Sequence, residues 1–458
     1  MRPKRQPKQL CRSRGPIPQS DIAAAVFLTM LSAASAFGQN AGDETATNAP
    51  PASIPTLGLT TNETLQVAGP ANPGTPGVPV AGTSQLFTPS AAGIGPSGAA
   101  SPFRWGPVKL SPHLTYQVSY GNGVQASPGQ QGNTLINEVS PGILLALGTH
   151  WTLDYTPALR FYSSKQFKDG TDHLVSLNGA TTYQDWSFGL GQSYSLTSQP
   201  LVETGAQTDQ ETYSTALTAG YQFNSRMSLS LSAGQNFRFI DQTVATEALT
   251  NMREWTTLDW LNYHFNPSLE AGLGAGFTYD NLTGSPDMTS EQLLGRVSWK
   301  VGNRLRLLVN GGLNDQQFLT SGASDLLSPI FSVAAQYQLF EPTSFSLTAS
   351  RSVSPSYLQG ASSEVTGFNA SLNQRLLKRF FLGVSGGYNT TDFHATTSGP
   401  VANNIDSYNT TSFSVSLSTV FFKRATASIF YQASYNSSKS ALYNYDTTQS
   451  GLTLGYHF

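Results

Sequence analysis

From about residue 107 to its end the chain alternates large apolar residues with small or polar ones, and this two-residue rhythm constrains the fold more than any motif does. The clearest stretch is Trp151, Leu153, Tyr155, Pro157, Leu159 and Phe161, alternating with Thr152, Asp154, Thr156, Ala158 and Arg160. Successive side chains of a strand point to opposite faces, so such a segment has one apolar and one polar side. A helix of the same sequence would mix the two. The rhythm recurs without a repeated motif, as in Phe413, Val415 and Leu417 or Leu452, Leu454, Tyr456 and Phe458. One pair of strands is irregular, because Leu258 and Trp260 fall on the parity that the polar residues hold elsewhere.

The breaks between these segments come in two kinds. Short turns, among them Gly148-Thr149-His150, Asn224-Ser225-Arg226, Gly302-Asn303-Arg304 and Glu341-Pro342-Thr343, alternate with longer polar loops. About 18 strands result, an even number with short connections on one rim and long ones on the other, as transmembrane β-barrels have. Trp151, Tyr183, Trp186, Phe223, Phe265, Trp299 and Phe421 lie beside short turns, and Tyr120, Phe161, Tyr194, Phe239, Tyr279, Tyr388 and Tyr435 precede long loops. Two aromatic belts, one at each membrane interface, account for that placement. The reading is therefore an all-β, antiparallel, up-and-down transmembrane barrel over residues 104–458.

Composition supports a wall with one face in lipid. Of 458 residues only 39% are hydrophobic and 11% charged, and the mean hydropathy is -0.21. Charge is scarce for a soluble surface, yet beyond the N-terminus no run approaches the roughly 20 apolar residues of a membrane helix. Residues 1–36 read as a secretory signal, with a basic stretch from Arg2 to Arg14, an apolar core from Ile22 to Leu31 and Ala34-Ser35-Ala36 for cleavage. The single cysteine, Cys11, precedes the apolar core, so it neither pairs nor fits a lipoprotein signal. Residues 37–103, dense in Pro, Gly, Ala and Thr, bury too little apolar surface to offset ordering and predict a disordered periplasmic tail. Residues 1–36 hold six of the 25 basic residues and one of the 27 acidic ones, so the remainder carries a net charge of -7. Nucleic acid is not an expected partner.

The chain ends Gly451-Leu452-Thr453-Leu454-Gly455-Tyr456-His457-Phe458. With its rhythm, that ending resembles the outer-membrane β-barrel porins, in particular the porin-2-like group of uncharacterised Gram-negative barrels. The resemblance implies a location in the outer membrane and a channel or export role, and it carries over no functional residues. It also implies that Leu454, Tyr456 and Phe458 form the segment read by the barrel-assembly machinery, with outer-membrane lipid and lipopolysaccharide as surroundings.

No catalytic or metal-binding spacing is present. The six histidines do not pair at ligand spacing, and Gly272-Leu273-Gly274-Ala275-Gly276 lies within a strand, where it reads as small lumen-facing residues. No enzyme activity, cofactor or metal is expected. The candidate lumen and selectivity residues are the charged members of the inward parity: Asp154, Arg160, Arg238, Arg296, Lys300 and Arg306. If the Gly302-Asn303-Arg304 turn sets the register, Lys300 falls opposite Arg306, and two like charges there call for an acidic neighbour or a passing anion. Carboxylates such as Asp169, Asp172, Asp241 and Asp287 are expected in the long loops, and basic residues on the short turns. A barrel of this size holds a water-filled pore unless a loop or the tail obstructs it, and the loops are short for a constriction folded into the lumen. Passive diffusion of small hydrophilic solutes is the leading expectation; exopolysaccharide export and a non-conducting structural or adhesin barrel are the alternatives.

Overall fold

The computed structural model describes residues 103–122, 125–127, 130–200, 207–241, 249–319, 323–396, 407–422, 424–438 and 444–458. The predicted signal segment 1–36 with Cys11, and the predicted tail except Phe103, lie outside them. The wall consists of β1 (Val108–Gly121), β2 (Thr134–Leu147), β3 (Trp151–Tyr162), β4 (Gly170–Tyr183), β5 (Trp186–Pro200) and β6 (Gln207–Gln222). It continues with β7 (Met227–Ile240), β8 (Met252–Asn266), β9 (Leu269–Leu282), β10 (Met288–Val301), β11 (Leu305–Phe318) and β12 (Leu326–Phe340). The last third is β13 (Thr343–Pro355), β14 (Ala361–Leu376), β15 (Phe380–Ala395), β16 (Tyr408–Phe421), β17 (Ala425–Ser438) and β18 (Tyr445–His457).

Each strand pairs antiparallel with the next, and β18 pairs with β1 from His113↔His457 to Gly121↔Gln449. The 18-strand barrel is thereby closed. A short strand, Phe103–Trp105, pairs with Val108–Leu110 at the start of β1.

Alternation decides which way the wall faces. Leu273, Leu293, Leu313, Ile429 and Leu217 are exposed on the outside, while Asn262, Thr278, Asn314 and Thr410 on the other parity are buried. Outside, rings form runs from strand to strand: Tyr194 lies 4.8 Å from Tyr213, Phe237 5.4 Å from Trp255, and Trp255 5.9 Å from Tyr279 near the long-loop rim. Near the short-turn rim Trp186 lies 4.8 Å from Tyr221 and Tyr456 4.8 Å from Phe458. These are the two belts. An apolar outer band between aromatic girdles on a closed barrel is the surface of an outer-membrane protein.

Strands of 12 to 16 residues exceed the roughly 9–11 needed to cross a bilayer. The connection between β13 and β14 is correspondingly short, residues 356–360. The glycines of β9 are inward-facing, as read. Gly274 pairs with Trp260, and a Cβ there would stand 2.7 Å from the indole. This is where the irregular parity of β8 finds its reason. Leu258, Trp260 and Leu294 form a buried apolar cluster on the inner face, and glycine makes room for it.

Candidate functional site

The inner face changes character along the barrel axis. Towards the short turns, periplasmic in barrels of this kind, Asn178, Lys300, Arg306, Gln336, Asn373 and Arg375 are exposed. Towards the long loops the inward residues Thr134, Asn236, Glu254, Asp280, Gln316 and Asn436 are buried. Among the described residues the inner face is an accessible vestibule at the short-turn end and closely packed at the long-loop end.

Each predicted lumen residue lies on the inner parity, but their settings differ. Lys300 and Arg306 are directly opposed across β10 and β11, both exposed. Neither enters an ion pair among the described residues; the inward carboxylate of the adjoining strand, Glu270 opposite Ser298, is engaged with His264 and Arg296 instead. Asp154 accepts a hydrogen bond of 2.8 Å from the Thr156 hydroxyl. Arg160 is buried and already neutralised: its Nε and Nη2 donate to Glu138 at 3.0 and 2.9 Å, and Nη2 lies 2.9 Å from Asp172. Asp172, expected in a loop, belongs to β4 and faces inward. A guanidinium held by two carboxylates offers a passing anion little attraction.

Arg296 stacks over the Trp260 ring at 4.4 Å, donates to Asn262, and stands 3.7 Å from Glu270. Glu270 also lies 3.2 Å from His264. This group joins β8, β9 and β10 towards the short-turn end of the wall.

Arg238 is 2% exposed. Its guanidinium lies 3.8 Å from the Tyr357 ring centroid, and Nη2 donates to the Ser356 carbonyl at 3.3 Å. Tyr357 is on the β13–β14 connection, with four strands, β9 to β12, standing between the two hairpins on the short way round. Arg238 therefore reaches a different part of the ring. Thr250 N donates to the Tyr357 carbonyl at 2.8 Å, Leu249 bridges Leu358, and Gln359 Nε2 donates to the Leu249 carbonyl at 3.2 Å. Gly360 N donates to the Ser285 hydroxyl at 2.8 Å.

The inward contacts at the long-loop end come from strand ends and a short connection, not from a long loop folded into the lumen. The β12–β13 ladder stops at Phe331↔Arg351 although β12 continues to Leu326 and β13 to Pro355. The β15–β16 pairing is described up to Thr391↔Tyr408, and β15 runs to Ala395. Beyond these pairs the ends of β13, β14 and β15 stay paired with one another, from Ser352↔Val365 to Pro355↔Ser362 and from Ala361↔Ala395 to Thr391↔Val365. Val353, Ser354, Ser362, Ser363 and Glu364 are buried regardless of parity. A three-stranded tongue leaves the wall on the β12 side, and its tip reaches Arg238, Leu249 and Ser285.

Glu364 ties the tongue's root together. It pairs with Arg351 at 2.6 Å, lies 3.7 Å from His394, and accepts a bond of 3.3 Å from Ser328 of β12. Around the tongue the inward ends of other strands are apolar: Ile240 with Leu249 and Leu358; Met252, Leu282, Met288 and Phe318; Tyr408 with Tyr445. The mouth has a small hydrophobic core of its own. In the sequence those residues looked like strand ends running into loops. Glu254 in the same region was likewise not singled out, and Asp280, opposed to it across β8 and β9 and expected in or beside a long loop, is buried on the inner face.

Among the described residues no group of three or more His, Cys, Asp or Glu could hold a metal ion. No protein-family model and no curated protein matches the chain. Solved structures align with it at low identity. The siderophore receptor PirA from Pseudomonas aeruginosa is 11% identical, covering 76% of this chain and 80% of that one at a TM-score of 0.40. OccK2 (OpdF) from Pseudomonas aeruginosa, solved in complex with glucuronate, is 12% identical over 77% and 98%, with a TM-score of 0.43. A loop-deleted OmpT, an outer membrane protein of Vibrio cholerae, is 11% identical over 77% and 99%, with a TM-score of 0.32.

Proposed function

We propose that the chain is an outer-membrane channel for small hydrophilic solutes, akin to the porin-2-like barrels, with a preference for anions set at its periplasmic end. The observation that carries this reading is the Lys300–Arg306 pair. Two cations are opposed on the inner wall, exposed and without an ion-pair partner among the described residues, beside the polar and accessible Gln336, Asn373 and Arg375. Like charges at such a distance repel, and an anion between them relieves the repulsion. Arg160, Arg238 and Arg296 already have partners and contribute less. Lipopolysaccharide around the outer rim and the barrel-assembly machinery acting on Leu454, Tyr456 and Phe458 are the proposed partners.

The test is ion selectivity of the purified full-length chain in planar bilayers under a salt gradient. The double variant Lys300→Glu/Arg306→Glu should move the reversal potential towards cation preference. An unchanged potential would sink the role assigned to this pair. An exopolysaccharide conduit is favoured by one observation, the vestibule that opens on the short-turn side only. It predicts current block by anionic polysaccharide added on that side and none by the same polymer on the other.

A further inference from the structure

We infer that the tongue formed by the ends of β13, β14 and β15 is a lid over the extracellular mouth, latched by Arg238. The inference rests on the channel reading. Its root is defined by the ladder break at Phe331↔Arg351 on the β12 side, and the β15–β16 pairing is described up to Thr391↔Tyr408 on the other. On the β12 side no strand pairing runs beyond Arg351, so swinging the tongue outward there breaks, among the described residues, only the Ser328–Glu364 bond; on the β16 side it draws Phe393 away from the Tyr408 ring, 5.9 Å off. The pairings inside it, β13 with β14 and β14 with β15, move as a unit. Opening must also break the seal at its tip. That seal comprises Arg238 on Tyr357 and Ser356, Thr250 on Tyr357, Leu249 against Leu358, and Ser285 on Gly360.

The sequence explains why the tongue does not simply continue the wall. Pro329, two residues beyond the last β12–β13 pair, has no N–H to give a neighbouring strand, and Pro355 ends β13 with the same lack. Re-pairing along this edge is therefore incomplete, and the inward position has the better-satisfied backbone. The seal is made of a few polar bonds and a small apolar cluster, the scale of interaction that distinguishes two states of one element rather than folded from unfolded. Arg238 is its centre. A buried guanidinium over an aromatic ring is worth far more than an exposed one, and in the closed position it finds both a ring and a carbonyl on the tongue.

Two measurements test the lid. In a chain carrying Cys11→Ser, the pair Leu249→Cys/Leu358→Cys places two thiols at directly bridged positions, where a disulfide can form. Oxidation should lower bilayer conductance at least roughly tenfold, and reduction should restore it. Equal conductance of the oxidised and reduced forms overturns the lid. The second measurement needs no solute to pass. Ser362, wholly buried in the tongue, becomes a reporter as Ser362→Cys, labelled from outside by a membrane-impermeant maleimide. Adding Arg238→Ala should speed labelling roughly tenfold, as loss of the latch shifts the population to the open position. Equal labelling rates overturn the lid whatever the conductance does. Faster labelling in a chain that conducts in no variant establishes the lid and removes the channel reading alone. Heat-modifiable migration of each variant confirms that the barrel is intact.

Discussion

Leu377 and Lys378 stand in succession at φ 48 and 63° on the turn between β14 and β15. Both are in the left-handed region, where a two-residue hairpin turn of this hand favours Asn-Gly. Leu377 is 85% exposed and gains nothing from packing. The variant Leu377→Asn/Lys378→Gly should therefore stabilise the barrel by about 1 kcal/mol, read as a higher urea midpoint for loss of heat-modifiable migration; no shift would show that the turn carries no strain. Individual charges were legible in the sequence to different depths. Lys300 and Arg306 were, because a three-residue turn and strict alternation fix which residues oppose. Arg160 was legible as an inward cation, but its neutralisation was not, since Asp172 looked like part of a polar loop. Arg238 was placed on the right face with no hint of Tyr357, a residue far along the chain that touches it only because the tongue folds inward.

Among the elements, β8 shows how a broken pattern carries information. Leu258 and Trp260 were an irregularity in sequence; in the fold they are the inner apolar cluster, seated against the glycines of β9. Replacing Gly274 by valine puts a branched side chain where the Trp260 ring lies 2.7 Å from the position of a Cβ. Overpacking of this kind should cost about 1–3 kcal/mol, measured by the same urea midpoint; an unchanged midpoint would mean that the indole moves aside freely. The tongue was illegible for a different reason. Its strands carry ordinary alternation, and only the end of the β12–β13 ladder distinguishes wall from lid. Pro329 and Pro355 were the local signals, and a proline near a strand end also fits a loop. At the other extreme, β18 was read correctly from its rhythm. Leu454, Tyr456 and Phe458 share its outer face, and the Phe458 N–H bonds to the Pro112 carbonyl at 3.0 Å. Deleting Phe458 should reduce the amount of assembled barrel in the outer membrane more than it alters conductance per channel; normal levels would count against an assembly role.

For the whole molecule, strand number, closure and the facing of the wall followed from alternation and turn length, because lipid on one side and water on the other impose a period of two on every strand. The interior did not follow in the same way. Which inward residues are accessible depends on contacts between strands distant around the ring. Residues 104–458 produced without the stretch 37–103 should still refold into a heat-modifiable barrel, since the ring of strands is complete without it; failure to refold would give that stretch a part in folding. The ring has one more consequence, which concerns time. Its seam joins His113 to His457, residues separated by 344 positions. Loop entropy makes so distant a pairing slow to find, and until it forms, the nascent sheet has two bare edges able to recruit other chains. A chain interrupted anywhere before its last dozen residues is therefore not a slightly smaller barrel but an open sheet, and cells must treat it as waste or escort it.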